Sequence, residues 1–385
     1  MAKSKDNQVI TSDFNLQKLT TKDMESHIGT AIAMESNMAL FGRRGSGKTE
    51  ICKQQIKKAG MKEVYINLSV LERVDLGGFP DVLAAQRNSE FVNYLLPQFY
   101  EPMMVEGKNG KEAQGVVALL DEVDKADPSL WAPLLEFVQF KSINGRKLPN
   151  LKSVLMTGNL IAEGGSRPSA PLLDRAEKYL ISADSNQWLE WAGREGNIHP
   201  SISAFIQDHP EELFGDVDLG EKYSDPSPRG WAGASAILHK GEEMKLSAEH
   251  LNYKVSGRVG KQAGLKYAHY YEHYQQLLPL VADLYAGKDV IKAYNKLEPT
   301  KKIVFGIIVG TRMANKFDET DESTPRNKLP KEVDLVGKFF SSISPENAYI
   351  VLRNQIQVNR MAAFDLDEHP AWADLVERIN NQING

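Results

Sequence analysis

Apolar residues in the first half of the chain occur as short continuous runs separated by longer mixed stretches. The runs are Asn37–Phe41, Val64–Leu68, Gly115–Leu120, Ser153–Thr157 and Lys178–Ser182. A continuous run of this length is typical of a strand that is buried on both faces of a parallel sheet. Because the runs alternate with helix-like stretches, the pattern predicts an α/β fold with a parallel five-stranded sheet and with ligands at the carboxyl ends of its strands.

The pattern changes at about Asp184, after which apolar positions recur with helical spacing. His199–Ile206 is an example, and no convincing strand pattern follows it. At the other end of the chain, Leu16–Ser36 is interpreted as a helix that leads into the first strand. We therefore expect a flexible polar N-terminus over residues 1–17, an α/β core over residues 18–184 and helices over the rest of the chain.

Residues Gly42–Thr49 directly follow the first apolar run and have the form G-x-x-x-x-G-K-T. The glycines allow backbone N–H groups to turn inward onto phosphates, and the next helix points its positive dipole end at the same place. We expect Lys48 to neutralise charge on the β- and γ-phosphates and the Thr49 hydroxyl to hold Mg²⁺. The predicted nucleotide-binding residues are Gly42, Gly45, Ser46, Gly47, Lys48 and Thr49, together with Asp121 from a later strand.

An acidic pair follows the apolar run that ends at Leu120. Because the carboxyl ends of parallel strands meet at one edge of the sheet, Asp121 and Glu122 are expected beside the phosphate loop. Asp121 is predicted to bind Mg²⁺ through water, and Glu122 is predicted to position and activate the attacking water. Asp124 is interpreted as an exposed charge outside the catalytic set.

Asn159 follows the predicted strand Ser153–Thr157, and so it belongs to the same edge of the sheet. An amide in this position is suited to orient the lytic water from the side. The alternative interpretation is a polar cap of the next turn.

Composition restricts the class of protein without naming one. The chain has 385 residues, of which 42% are hydrophobic and 25% are charged, as in a globular protein of two or three domains. Its net charge of −5 gives no overall basic field for nucleic acid or for an anionic membrane. No apolar stretch approaches the roughly 18 residues of a membrane span, and the N-terminus lacks the apolar core of a signal peptide, so we expect a soluble intracellular protein. Cys52 has no partner for a disulfide and is predicted to face the core.

Several longer segments together resemble one family. They are the phosphate loop, Leu119–Gln139, Met156–Asn159, Pro171–Ser182, His199–Phe214, Ser227–Ser235 and Ser256–Gly260. In these segments the chain resembles the MoxR-like, dynein-related branch of the AAA+ ATPases, which occurs in bacteria and phages. The resemblance implies an Mg²⁺-dependent ATPase that forms a hexameric ring with ATP at the subunit boundaries. It also implies an α-helical lid over residues 185–270, a helical C-terminal extension over residues 271–385, and a location in the cytoplasm of a bacterium or of a phage's host.

The resemblance assigns roles to two arginines. Arg175 matches the family's arginine finger, which reaches the γ-phosphate held by the neighbouring subunit. Arg229 matches the sensor-2 arginine at the start of a lid helix, which acts on nucleotide bound to its own subunit. Arg167 is a rival or second finger. The predicted catalytic residues are Glu122, Asn159, Arg175 and Arg229.

The resemblance further implies two inserted loops of a kind that faces the ring's pore or a partner. Ile143–Leu148 would be a hairpin, and its Asn-Gly pair favours a tight turn. Glu90–Gly107 would contain an insertion in a helix. Phe79 either grips a polypeptide or is buried in an ordinary turn. Arg43 and Arg44 stand where relatives often have proline or small residues. The alternatives for these two side chains are contact with phosphate, contact with a neighbouring subunit, or no contact.

Three functions fit these features. The leading hypothesis is a ring-shaped chaperone or motor that remodels a protein client and works with a partner containing a von Willebrand A-type (VWA) or metallopeptidase-like domain. The alternative is a nucleic-acid motor or a McrB-like NTPase subunit, for which Lys141, Arg146 and Lys147 could form a basic ring. A nucleotide-locked scaffold is disfavoured because the predicted catalytic set is intact.

Overall fold

A computed structural model of the chain divides it into two compact units, residues 1–183 and 184–385, which are described separately. The described residues are 16–86, 92–105, 114–160, 168–182, 184–194, 197–215, 226–318 and 331–344, with Ala348 and Leu375. The predicted flexible N-terminus lies outside these residues, apart from its last two positions.

The first unit is built on a parallel six-stranded sheet, which confirms the predicted α/β fold class. Its strands, in chain order, are β1 (Gln17–Thr20), β2 (Met38–Gly42), β3 (Lys62–Asn67), β6 (Val116–Asp121), β9 (Leu151–Asn159) and β10 (Glu177–Ser182). The described residues of the unit also contain two small antiparallel pairs, β4 (Phe79–Pro80) with β5 (Tyr94–Leu95) and β7 (Ser142–Ile143) with β8 (Arg146–Lys147). In the sheet the spatial order is β1-β10-β2-β9-β6-β3, so the strand that leads into the phosphate loop is central.

The predicted count of five strands was one short, because the stretch after Leu16 begins as a strand rather than as a helix. Strand β1 is an edge strand with one buried side chain, Leu19, which is too little burial to give a strand pattern in the sequence. The helix starts at Thr21, since the Thr20 side chain caps it by accepting a hydrogen bond from Asp23 N at 3.1 Å.

Helices cover both faces of the sheet. They are α1 (Thr21–Ala33), α2 (Lys48–Lys58), α3 (Arg73–Gly77), α4 (Val82–Ala85), α5 (Glu101–Met104), α6 (Trp131–Phe140) and α7 (Ala170–Leu173). Strand β6 shows why its run is continuous: Leu119 packs with Ile51 and Cys52 of α2, whereas Leu120 packs with Phe137 of α6 on the other face. The buried position predicted for Cys52 is confirmed.

The predicted hairpin at Ile143–Leu148 is confirmed as the β7–β8 pair. Its turn residues, Asn144 and Gly145, have φ values of 48° and 74°, as a tight hairpin turn requires. The Phe79 side chain is 59% exposed, so the interpretation of a buried phenylalanine in a turn was wrong. The predicted insertion at Glu90–Gly107 lies only in part within the described residues, where residues 92–105 contain β5 and α5.

The second unit is helical, and its described residues contain no strand, as the sequence pattern predicts. Its helices are α8 (Ser185–Arg194), α9 (Pro200–Asp208), α10 (Pro228–Glu243), α11 (Ala248–Val259), α12 (Lys261–Tyr285), α13 (Ile291–Asn295), α14 (Pro299–Asp318) and α15 (Lys331–Ser341). Helix α12 continues through residue 270, the predicted end of the lid, and that internal boundary stays a prediction. Aromatic side chains such as Phe205, Trp231 and Tyr267 fill the core of this unit. Among the described residues, none of the helices has both the length and the apolar character of a membrane span.

Candidate nucleotide-binding site

The phosphate loop connects β2 to α2 at the carboxyl edge of the sheet. The loop turns on Gly45 and Gly47, whose φ values of 71° and 83° favour glycine. Gly42 ends the strand, and a Cβ at this position would lie 3.0 Å from the Ile181 backbone oxygen of β10. The glycines therefore serve the tight turn and the close approach of two strands.

The Lys48 side chain is folded into this loop. Its ammonium donates hydrogen bonds to the Gly42 and Arg43 backbone oxygens at 2.9 Å each and to Ser46 Oγ at 3.3 Å. Lys48 is only 7% exposed, although it carries a charge. The structure thus places a lysine charge inside the loop that the sequence assigns to phosphates.

Thr49 and Asp121 meet across the gap between α2 and β6. Thr49 Oγ1 donates a hydrogen bond to Asp121 Oδ1 at 3.1 Å. The same carboxylate accepts hydrogen bonds from Thr157 Oγ1, from Glu122 N at 3.1 Å and, on Oδ2, from the Tyr65 hydroxyl at 2.9 Å. Sequence reasoning missed Tyr65 and Thr157. The available signal was a hydroxyl-bearing side chain within a predicted strand.

The hydroxyl of Thr49 and the carboxylate of Asp121 fit a magnesium ion. Both are hard oxygen donors, and Mg²⁺ at a phosphate site is held by one or two protein oxygens together with phosphates and water. In the part of the chain that the structure describes, no group of three or more His, Cys, Asp or Glu residues is arranged for a metal. A site with two protein oxygens fits a metal that arrives with a phosphate ligand.

Glu122 directly follows the last residue of β6 and has a left-handed backbone, with φ of 56°. Lys125 Nζ donates to its Oε1 at 2.7 Å. The hydrogen bond from Lys125, and then one from Ser69, hold the pKa of Glu122 below its ordinary value. The side chain is therefore an ionised carboxylate at neutral pH, the form that accepts a proton from water.

Asp124 was predicted to be an exposed charge, and this was wrong, because the residue is completely buried. After the left-handed Glu122, the chain makes a tight 3₁₀ turn over Val123–Lys125 that returns to the sheet. A Cβ on Gly158 would lie 3.1 Å from Asp124 Oδ1, so Asp124 packs against the end of β9.

Asn159 lies beside the phosphate loop. It is the last residue of β9 and pairs with Gly42 in the parallel β2–β9 ladder, and its side chain is half-buried. The structure therefore brings Asn159 to the edge where Lys48, Thr49, Asp121 and Glu122 lie. Its catalytic role stays a prediction.

Arg175 lies at the amino-terminal ends of the sheet strands, whereas the phosphate loop lies at their carboxyl ends. Arg175 precedes β10, whose first residue, Glu177, pairs with Met38, whereas the phosphate loop begins beside Ile181 at the other end of that strand. Four residues of strand at about 3.3 Å each separate the two ends by roughly 13 Å. The guanidinium is held there by Gln139 Oε1, at 2.8 Å from Nε, and by the Pro171 backbone oxygen. Arg175 is therefore not brought to the loop of its own chain.

The other predicted arginines are in different situations. Arg229 is exposed in the first turn of α10 in the second unit, where Ser227 Oγ caps the helix by accepting from Gly230 N at 3.0 Å. Arg167 lies outside the described residues. In the phosphate loop, Arg44 is exposed and Arg43 is partly exposed.

Lys141 is one of three basic residues predicted to form a basic ring facing a pore, and that orientation stays a prediction. Its side chain is half-buried, and the ammonium donates to the backbone oxygen of Glu35 at 3.3 Å and to that of Lys152. Burial lowers the pKa of Lys141. Arg146 and Lys147 on the hairpin are exposed, so they are more accessible than Lys141.

The parallel sheet, the glycine-rich loop between β2 and α2, and the acidic end of β6 define an α/β P-loop NTPase fold, which is followed by a helical unit. This fold class is the one that the sequence predicts.

Neither a protein-family model nor a curated protein sequence matches the chain. Among solved structures, it is similar to the Thermotoga maritima RuvB Holliday junction branch migration motor, at 12% identity and a TM-score of 0.36, over 71% of this chain and 77% of that one. It is also similar to Hsp104 in a closed state with ATPγS and FITC casein, at 18% identity and a TM-score of 0.31, over 49% of this chain and 38% of that one. Because these TM-scores are low, the fold assignment rests on the sheet order and the loop of this chain.

Proposed function

We propose that the protein is an Mg²⁺-dependent ATP hydrolase of the AAA+ class. The observation that carries the proposal is the meeting of Lys48, Thr49, Asp121 and Glu122 at one edge of the sheet, with Thr49 Oγ1 and Asp121 Oδ1 3.1 Å apart. A phosphate loop, a pair of magnesium ligands and a carboxylate base are the parts that phosphoryl transfer to water needs.

Each residue then has a definite task. Lys48 exchanges its backbone partners for phosphate oxygens, because a charge-assisted bond to phosphate is stronger than one to a neutral carbonyl. Thr49 and Asp121 hold the magnesium, which when bound neutralises charge on the phosphates. Glu122 takes the proton of the attacking water, and Asn159 orients that water.

Arg175 acts on the nucleotide of a neighbouring subunit. The support is its place at the opposite edge of the sheet from its own phosphate loop. Its planar guanidinium is suited to bridge phosphoryl oxygens as charge develops. A ring, in our proposal a hexamer, places this edge of one subunit against the loop of the next, and hydrolysis then requires assembly.

The helical unit supplies the lid. Arg229 lies exposed in the first turn of α10, from which a side chain is free to reach toward a ligand. It acts as the sensor-2 arginine on nucleotide in its own subunit. This assignment rests on the match of Ser227-Pro228-Arg229 to the family pattern.

The cellular role is a further step of the proposal, and it rests on the resemblance to the MoxR-like branch. In this role the ring is a chaperone or motor that uses ATP to remodel a protein client, in the cytoplasm of a bacterium or of a phage's host. Its partner carries a VWA or metallopeptidase-like domain.

Mixing two inactive variants tests both the chemistry and the shared site. Glu122→Gln lacks the base, and Arg175→Ala lacks the finger, so each alone should hydrolyse ATP slowly. In mixed rings, an Arg175→Ala subunit keeps its base and receives Arg175 from a Glu122→Gln neighbour. The mixture is therefore expected to hydrolyse ATP well above the mean of its two components.

The control is a mixture of Glu122→Gln with Lys48→Ala. Both substitutions disable the nucleotide-holding half of the site, so no boundary in those rings is complete, and activity should stay low. A Glu122→Gln and Arg175→Ala mixture that is no more active than the control contradicts the finger in trans. Wild-type protein without magnesium-dependent hydrolysis contradicts the proposed function itself.

A further inference from the structure

Tyr65 reaches Asp121 along one face of the sheet. Its hydroxyl donates to Asp121 Oδ2 at 2.9 Å. Tyr65 pairs with Leu119 in the parallel β3–β6 ladder, and Asp121 lies two residues beyond Leu119. Since side chains alternate between faces with a period of two, Tyr65 and Asp121 share a face, and the phenol spans the two-residue offset.

The two oxygens of Asp121 have different partners. Oδ1 accepts from Thr49 Oγ1, Thr157 Oγ1 and Glu122 N. Oδ2 accepts a hydrogen bond from the Tyr65 hydroxyl. Because a carboxylate is planar, a donor fixed on one oxygen sets the direction in which the lone pairs of the other oxygen point. The Tyr65 hydroxyl therefore fixes how Oδ1 faces Thr49.

The ring of Tyr65 is held independently of its hydroxyl. Lys53 Nζ of α2 lies 4.6 Å from the ring centroid, and it also lies 3.8 Å from Glu63 Oε1 on the same strand as Tyr65. Tyr65 is 42% exposed, so its hydroxyl is not needed to fill the core. The contact of the hydroxyl with Asp121 is thus separable from the packing of the ring.

We propose that Tyr65 is a positioning residue for magnesium binding, which acts by holding the Asp121 carboxylate in its ligating orientation. The inference rests on the proposed function, because it needs Asp121 to hold Mg²⁺. Hydrogen-bond partners behind a metal ligand typically change metal affinity by about 10- to 100-fold. Loss of this hydroxyl is expected to weaken magnesium binding by about 10-fold and to leave metal-free nucleotide binding unchanged.

The test compares Tyr65→Phe, which removes the hydroxyl and keeps the ring, with Lys53→Met, which removes the cation and keeps the hydroxyl. Fluorescence of methylanthraniloyl-ATP gives the nucleotide affinity in EDTA. It also gives the Mg²⁺ concentration at which the increase in nucleotide affinity caused by Mg²⁺ is half complete. Electron paramagnetic resonance of Mn²⁺ gives the affinity of the metal for the complex of protein and ADP. Thermal unfolding of both variants checks that the fold is kept.

The expected result is that Tyr65→Phe needs about 10-fold more Mg²⁺ and binds Mn²⁺ about 10-fold more weakly, whereas Lys53→Met stays within about twofold of wild type. Equal metal affinity of wild type and Tyr65→Phe overturns the inference and leaves the proposed function standing. An equal loss in both variants also overturns it, because packing of the ring would then explain the effect. If the nucleotide affinity of the wild-type protein does not depend on Mg²⁺, that result contradicts the proposed function instead.

Discussion

Both units of the chain contain a network of hydrogen-bonded polar side chains, but the two networks differ in the burial of the residues at their centres. In the first unit, Asp121 and Glu122 are only half-buried at the carboxyl ends of the strands. In the second unit, Ser201 and Tyr267 are completely buried among aromatic rings. The difference indicates that the first network is able to exchange its partners for a ligand, whereas the second stabilises the packing of helices.

The network of the second unit connects three helices. His199 caps α9, and its Nδ1 accepts from Ser201 N at 3.2 Å. Ser201 Oγ lies 2.6 Å from the Tyr267 hydroxyl of α12 in the buried part of the network. At its exposed rim, the His199 Nε2 lies 3.1 Å from Oε1 of Glu242 in α10, and the Glu242 side chain is 44% exposed. A buried donor or acceptor that loses its partner costs about 1–3 kcal/mol, so this network holds the helices in one arrangement.

The same chemical change, Glu to Gln, should lower the rate of ATP hydrolysis in the first network and leave that rate unchanged in the second. Glu122→Gln removes the proposed base, and we expect turnover to fall by about 10²- to 10⁴-fold while nucleotide still binds. Glu242→Gln removes a carboxylate of the second network, and turnover per folded subunit should stay within about twofold of wild type. Steady-state ATP hydrolysis, with the folded fraction determined by circular dichroism, measures both effects. Similar losses of turnover in the two variants would remove the distinction between the networks.

The second network should also make the stability of the protein depend on pH. This effect is expected to be smaller than the loss of turnover in Glu122→Gln. The hydrogen bond from His199 lowers the pKa of Glu242 below the ordinary value of 4.5. Because the pKa is lower in the folded state, the ionised carboxylate favours folding, fully so above about 4.5 and less as the pH falls through the folded pKa. The difference in Tm between wild type and Glu242→Gln should therefore be largest near neutral pH and shrink in acid.

Thermal unfolding of both proteins from about pH 7 to about pH 3 measures this difference. Other carboxyl groups titrate in wild type and variant alike, so their contribution cancels in the comparison. A difference in Tm that is independent of pH would show that the charge of Glu242 does not contribute to folding.

The parts of the fold that depend on local sequence could be predicted. The run Gly115–Leu120 indicated a strand buried on both faces, and Asn144-Gly145 indicated the hairpin turn. The phosphate loop is a local motif, and Asp121 and Glu122 follow from the rule that parallel strands end at one edge. All of these features lie where the sequence placed them.

The missed features depend on contacts between distant residues. Strand β1 gains its place by pairing with β10, which lies far along the chain. Asp124 is buried because Gly158 of another strand leaves room for it, and Tyr65 contacts Asp121 because two strands have a particular register. Hydrophobic periodicity contains no information on such pairs.

Two lysines of helix α2 distinguish Mg²⁺–ATP binding at the carboxyl edge of the first unit's sheet from a general effect of removing charge. Lys48 lies within the phosphate loop, whereas Lys58, at the other end of the helix, is paired on the surface with Glu25 at 3.4 Å. The measurement is the affinity for methylanthraniloyl-ATP with Mg²⁺. We predict that Lys48→Ala weakens binding by about 10- to 100-fold and that Lys58→Ala changes it by less than about twofold. Equal affinity of Lys48→Ala and wild type would contradict the account.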